Sequence, residues 1–232
     1  VDHTAYDAQA EHYDLLTAPM WSVLAPLLST ALRGLDPRHG PAADIGAGSG
    51  RGTALLARLH PHLEVIAVEP SASLRTALFT RVGGDVDLSR RVTVLADTAA
   101  GAVLPPRLSA VLLANAVSEL SPRHRRDLWR TAAQRLAPGA PLVVNLGVPG
   151  GEPQTVVRVG RREYRNTGEA EPGEPGTVRW TITTEVRDGD TVVQRVVSRH
   201  VSWRLTTAEL CRELAAAGFG VRRTGVVVVA RT

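Results

Sequence analysis

Between residues 41 and 147 the sequence repeats one unit: an apolar run too short for a helix, then an amphipathic stretch long enough for one. The runs are "PAADIGAG" (41–48), "LEVIAVEP" (63–70), "RVTVLAD" (91–97), "LSAVLLANAV" (108–117) and "PLVVNLG" (141–147). Continuous apolarity over so few residues marks strands buried on both faces, as in a parallel sheet covered by helices. The stretches between them, "TALLARLH" (53–60), "SASLRTALFTRV" (71–82) and "SPRHRRDLWRTAAQRLAPG" (121–139), read as helices, with a further amphipathic helix over 21–32. The helix at 121 carries its own punctuation: Ser121 as N-cap, Pro122 in the first turn and Gly139 past the end. Strand and helix in alternation predict a doubly wound α/β fold.

The rhythm changes after residue 150. "TVVRVGRREYR", "TVRWTITTEVR" and "TVVQRVVSRHVSWR" alternate with period two and carry no helix signal; "DGD" before the third reads as a hairpin turn. "NTGEAEPGEPG" (166–176), acidic and rich in Pro and Gly, reads as a mobile loop. Residues 150–204 thus form an antiparallel β meander inserted after the fifth strand. Helix signals return at "TTAELCRELAAAG", where Thr206 and Glu209 have capping-box spacing and Gly218 ends the helix; "FGVRR" and "VVVVART" close the sheet as a hairpin. The expected division is a core over 1–149, the insertion over 150–204, and the last helix and hairpin of the core over 205–232.

Composition narrows the partners. The sequence has 232 residues, a formal net charge of +4 and no lysine, so all 27 basic residues are arginines. The run "RHRRDLWR" falls on a predicted helix and reads as its solvated face, which weakens a nucleic-acid reading. No stretch approaches the roughly 18 apolar residues of a membrane span, and the start "VDHTAYDAQAEHYD" is too polar for a secretory signal. Cys211 is alone, which excludes an internal disulfide and a multi-cysteine zinc site; it reads as a small buried apolar residue. A cytoplasmic protein is expected.

The first strand ends in "DIGAGSGRG", with Gly46, Gly48 and Gly50 spaced G-x-G-x-G and Arg51 where a dinucleotide fingerprint would need its next glycine. Bare backbone there lets a ligand approach closely. Asp44 beside it would repel a phosphate and suits a ligand carrying an ammonium or other positive charge.

These residues resemble motif I of class I S-adenosylmethionine-dependent methyltransferases. The resemblance runs from about Tyr6 to Gly147 and returns at the final helix and hairpin; it does not cover the meander. It implies a Rossmann-like seven-stranded sheet, five strands parallel plus the C-terminal hairpin, with S-adenosylmethionine as cofactor and S-adenosylhomocysteine as product. Glu69, 23 residues beyond Gly46, matches the family's ribose ligand, with Pro70 following it. Asp97 and Thr98 match the adenine position. "LLANAVSEL" resembles motif IV and puts Asn115 near the methionine portion, while Ala47 sits within the glycine loop. "RLAPGAPLVV" resembles the family's L-x-P-G-G-x-L-V-V run, with Ala140 in place of the second glycine. By the same resemblance an aromatic near the start folds over the cofactor: Tyr13 first, Tyr6 second.

Methyl transfer from a sulfonium is an in-line displacement on an already activated carbon, so it requires no metal, and the seven histidines show no ligand spacing. The protein must align the acceptor and exclude water. A hydroxyl or ammonium acceptor benefits from a general base; His200, Tyr13 and Glu119 are the catalytic candidates, with His124 as rival. The meander is a candidate substrate cover, through Tyr164, Trp180, His200 and Trp203 with Arg158, Arg162, Arg179 and Arg204, or a homodimer interface. A small-molecule or peptide natural-product acceptor, methylated on O or N, is the leading reading. Nucleic-acid base methylation is disfavoured because strand four ends in "NAVS" rather than Asn/Asp-Pro-Pro-aromatic. A non-catalytic cofactor-binding or assembly protein on the same fold stays open.

Overall fold

The computed structural model describes residues 6–147 and 154–232. The chain begins with helix α1 (Ala10–Ala31). It then alternates β1 (Ala42–Ile45), α2 (Arg51–Leu59), β2 (Val65–Val68), α3 (Ala72–Gly83), α4 (Val86–Arg91), β3 (Val92–Leu95), β4 (Ala110–Leu113), α5 (Pro122–Arg135) and β5 (Pro141–Asn145). Four strands follow, β6 (Gln154–Val159), β7 (Arg162–Pro172), β8 (Thr177–Asp188) and β9 (Thr191–Trp203), then α6 (Thr207–Ala216), β10 (Gly220–Thr224) and β11 (Val227–Arg231). No described helix is long and apolar enough to cross a membrane.

The main sheet has the order β10-β11-β5-β4-β1-β2-β3. Strands β1 to β5 are parallel, and the terminal hairpin joins antiparallel through β11. This is the expected doubly wound sheet with its closing hairpin. Side chains alternate between two cores, as the strand period requires. Ala43, Ile45, Val111, Leu113, Leu142 and Val144 face α5 and α6, around Trp129, Leu210 and Leu214. Ala42, Ala67, Ala110, Leu112 and Val143 face α1, α2 and α3, around Leu24, Leu28, Leu56 and Leu78. The sequence punctuation holds where it was read: Ser121 accepts from the His124 N–H at 3.2 Å, and Thr206 and Glu209 form the capping box.

Three expectations are corrected. Helix α1 starts at Ala10, three turns before Trp21, and contains Pro19 and Pro26. Both prolines lie on the exposed face, where water can serve the carbonyls that lose a helical N–H, so the helix continues through them. "TVVRVGRREYR" folds back on itself: Gly160, at φ 56°, turns the chain and pairs Val159 with Arg162, giving two strands where one was read. "NTGEAEPGEPG" is loop only over 173–176, since Asn166 to Pro172 stay paired with Thr184 to Val178. Glu169 and Glu171 point to solvent, and among the described residues β7 has no partner on that edge beyond Thr167, so Pro172 forfeits no described bond there.

The meander is thus a four-stranded sheet in the order β6-β7-β8-β9. Its expected opening at residues 150–153, and the boundary at 149, lie outside the described residues. The sheet packs on α1 and on the short 3₁₀ turn Val117–Glu119.

Candidate active site

A cavity of about 250 Å³ opens where the parallel strands β1 to β4 end, the edge at which open α/β sheets bind ligands. Gly46 and Gly48 line it from β1, Glu69 and Pro70 from β2, Thr98 to Ala100 from β3, and Ala114 to Ala116 with Glu119 and His124 from β4; Tyr6 and Tyr13 enter from the N-terminal segment.

The glycine loop shows why the sequence needs bare backbone. Gly46 has φ 72°, and a Cβ there would lie 2.6 Å from the Ala116 Cβ, so the tips of β1 and β4 could not close. Gly48 has φ 56°; its N–H donates to Glu69 Oε2 at 2.8 Å, and a Cβ on it would touch the Tyr13 ring at 3.7 Å. Glu69 Oε1 accepts from the Ser71 N–H at 2.8 Å. Glu69 is 5% exposed; one of its oxygens braces the glycine loop and the other the start of α3. Burial pushes its pKa up, against the two backbone N–H donors that favour the charged form. Each oxygen retains a lone pair for ligand hydroxyls.

Asp44 is 1% exposed. Its Oδ2 accepts from the Thr53 hydroxyl at 2.6 Å, whereas Oδ1 is buried with no partner among the described residues. Gly52 makes room for it, because a Cβ there would stand 2.9 Å from Oδ2. Burial pushes the Asp44 carboxyl up to about 7. The residue lines a small recess shared with Gly46, Ala47, Gly48, Tyr13 and Asn115. An orphaned carboxylate oxygen beside a glycine cradle is a receptor for a cationic group, so the residues fit the ammonium and sulfonium of S-adenosylmethionine.

Asn115 is the one described non-glycine residue with positive φ, at 58°. Its N–H donates to Asn145 Oδ1 at 2.9 Å, and Asn145 Nδ2 returns a bond to Asn115 Oδ1 at 2.6 Å. This reciprocal pair holds the left-handed turn after β4. Asn145, Thr53 and Ser71 have no sequence signal beyond standing at strand ends or first helical turns.

Glu119 closes the far wall. Its Oε2 is buried without a partner among the described residues, and burial pushes the carboxyl up to about 7. Beside it, Tyr6 is held well above the ordinary phenol range by burial and by the Glu119 charge, and burial with neighbouring Glu69 pushes Tyr13 up to about 12. Both hydroxyls therefore stay protonated at neutral pH.

Other candidates lie elsewhere. His200 does not line the cavity: it stacks on Trp180 (ring centroids 6.3 Å) and meets Tyr6 at a tilt of 31° (5.8 Å), and burial lowers its pKa. It supports the Tyr6 ring rather than facing a ligand. Gly50 caps α2 against Leu78, away from the cavity. The Asp97 side chain turns away as well, with Oδ1 accepting from its own neighbour Thr98 N–H at 2.7 Å and lying against Gly101. Arg158, Arg162, Arg179 and Arg204 are all exposed and outside the cavity wall; Arg158 pairs with Glu163 and Arg179 with Glu171. Trp203 is on the sheet face opposite Trp180 and His200. Cys211 is half-buried against the α5–α6 core. No cluster of three His, Cys, Asp or Glu among the described residues could hold a metal ion.

No family model matches the sequence. Solved structures do match the fold. DesVI of Streptomyces venezuelae superposes with a TM-score of 0.74 at 18% identity, over 100% of this chain and 98% of that one. CalS10, an amino pentose methyltransferase from Micromonospora echinaspora involved in calicheamicin biosynthesis and solved with S-adenosylmethionine bound, gives 0.70 at 21% identity over 91% and 92%. The glycopeptide N-methyltransferase MtfA, complexed with S-adenosylhomocysteine, gives 0.61 at 24% identity over 90% and 84%. The chain has the fold of these structures and covers 84–98% of their lengths.

Proposed function

We propose that this chain is an S-adenosylmethionine-dependent methyltransferase acting on a small-molecule or peptide natural-product acceptor, and that the accepting atom is an amine nitrogen. The observation that carries the cofactor assignment is the buried Oδ1 of Asp44, without a partner among the described residues, beside the glycine cradle that Glu69 braces. The acceptor class rests on Glu119, whose Oε2 has no partner among the described residues and suits an ammonium, and agrees with the N-methyltransferase activities printed for the glycopeptide enzyme and for a sugar enzyme of the same fold. The four-stranded sheet serves as the acceptor-side cover, and the location is cytoplasmic; the lone cysteine fits a reducing compartment.

Bound in the cavity, S-adenosylmethionine supplies a methyl group on positively charged sulfur. Asp44 would hold the ammonium and Glu69 the ribose hydroxyls, beside the Tyr13 ring that lies on Gly48. Glu119 takes the proton from the acceptor ammonium, which frees the nitrogen lone pair for the displacement. The test has two stages. Calorimetry with S-adenosylhomocysteine measures binding; methyl-labelled S-adenosylmethionine with an amino sugar or an aminated glycopeptide then measures transfer by mass spectrometry. Tight binding with no transfer to any amine favours the non-catalytic assembly reading.

Glu119 also sets a pH dependence. Only its ionised form accepts a proton, and burial holds its pKa near 7, so turnover rises as pH climbs through 7. Glu119→Gln is expected to lower kcat about 100-fold and to remove that limb; an unchanged profile removes Glu119 as the base. The stability effect has the opposite sign. With a folded-state pKa raised above the unfolded one, Glu119 and Asp44 both favour the ligand-free fold below about pH 4 and lose that contribution as pH rises through about 7.

A further inference from the structure

Tyr6 and Tyr13 belong to a segment that reaches the cavity from outside the parallel-sheet core, so what fastens this segment decides how the cavity is covered. On its outer side it is tied to the four-stranded sheet: Gln9 Nε2 donates to Ser198 Oγ, and the His12 ring lies 5.5 Å from Tyr164. On its inner side two carboxylates attach it: Asp7 Oδ1 accepts from Ser73 Oγ at 2.6 Å and from Ser71 Oγ at 3.5 Å, and Asp14, next to Tyr13, makes the larger set of bonds. The Asp14 carboxylate accepts from Ser49 Oγ at 2.6 Å, Arg51 Nε at 2.8 Å, Arg51 Nη2 at 2.9 Å and Arg81 Nη2 at 2.6 Å. Arg51 Nη2 also donates to the Asp14 main-chain oxygen at 2.9 Å, and Arg81 Nε donates to the Ser49 carbonyl at 2.9 Å. The donors come from the glycine loop, the first turn of α2 and the last turns of α3, three elements brought to one carboxylate.

Asp14 directly follows Tyr13, the ring that lies on Gly48. Its side chain is 35% exposed, so the bonds are within reach of water and salt. The rest of α1 does not depend on them: Trp21, Leu24 and Leu28 seat it in the apolar core. Loss of the Asp14 bonds would loosen the turn that carries Tyr13, with Asp7 still tied to Ser73, Gln9 to Ser198, and the helix left in place.

We propose that Asp14 is a positioning residue, a latch that holds the 6–14 segment over the cofactor end of the cavity, sets Tyr13 on the glycine loop and governs the rate of cofactor exchange. The proposal rests on the methyltransferase reading. Asp14→Asn keeps the shape and removes the charge, and is compared with the unmodified full chain. The expected results are a Kd for S-adenosylhomocysteine about tenfold higher, a dissociation rate in stopped flow faster by about the same factor, and a melting temperature nearly unchanged. High salt should weaken binding by the unmodified protein and leave the variant flat, because screening acts on the charges the variant lacks. Asp14→Glu should recover part of the slow dissociation. If Asp14→Asn does not fold, Arg81→Met, which removes one donor and leaves the Arg51 fork, should show an intermediate dissociation rate. Equal Kd and dissociation rate in variant and unmodified protein overturn the latch and leave the methyltransferase reading standing. Failure of the unmodified protein to bind S-adenosylhomocysteine overturns that reading and the latch with it.

Discussion

Glu69→Ala is expected to weaken S-adenosylmethionine binding by about 1–3 kcal/mol, the value of hydrogen bonds lost to a buried charged acceptor. The structure adds a second consequence. Glu69 already accepts from the N–H groups of Gly48 and Ser71, so alanine strands two buried donors and loosens the loop itself. Calorimetry with the cofactor reads the first effect, and urea unfolding without ligand reads the second. Glu69→Gln separates them further, because its amide oxygen can serve one N–H while its amino group opposes the other. Binding unchanged in Glu69→Ala would take this residue out of the cofactor site.

The largest stability loss is expected at Glu213. Arg125 is 2% exposed, and Glu213 accepts from its Nε at 2.9 Å and its Nη2 at 2.7 Å. Trp129 Nε1 donates to the same carboxylate at 3.1 Å. Glu213→Ala leaves a buried guanidinium whose remaining bond is to the Leu120 carbonyl, at a cost of about 3–5 kcal/mol. The removal of both charges, Arg125→Met with Glu213→Leu, should restore much of it, since the penalty lies in the unpaired cation rather than in the pair. Equilibrium unfolding in urea tests both. Little loss in the single variant would mean that water reaches Arg125 once Glu213 is gone.

These two sites differ in how far the sequence revealed them. Glu69 stands at a strand end a fixed distance past a glycine loop, so its place follows from local order. The Arg125–Glu213 pair joins residues 88 apart and could not be read from spacing. The same holds for Asp14, whose partners are 35, 37 and 67 residues away, and for Asn145, which holds Asn115 across two neighbouring strands. The parallel strands were legible because burial on both faces leaves continuous apolar runs. The beginning of α1 was not, because Gln9 at its N-cap makes no side-chain capping bond and no local signal marks the start. In the meander, the sequence grouped Trp180, His200 and Trp203 in one cover, whereas the strand pairing sets Trp180 beside His200 and Trp203 on the opposite face, and no spacing could say that Tyr6 would meet His200.

The four-stranded sheet rests on α1 and the 117–119 turn, and its described strands pair with one another, not with the seven-stranded sheet. The ladder that supports the glycine loop would survive the exchange of that sheet for another. On the proposed reading the labour is divided: the seven-stranded sheet and its loops line the cavity for the methyl donor, and among the described residues the four-stranded sheet reaches that site through Tyr6, whose ring rests against His200, so grafted strands would retune the acceptor side by moving that ring.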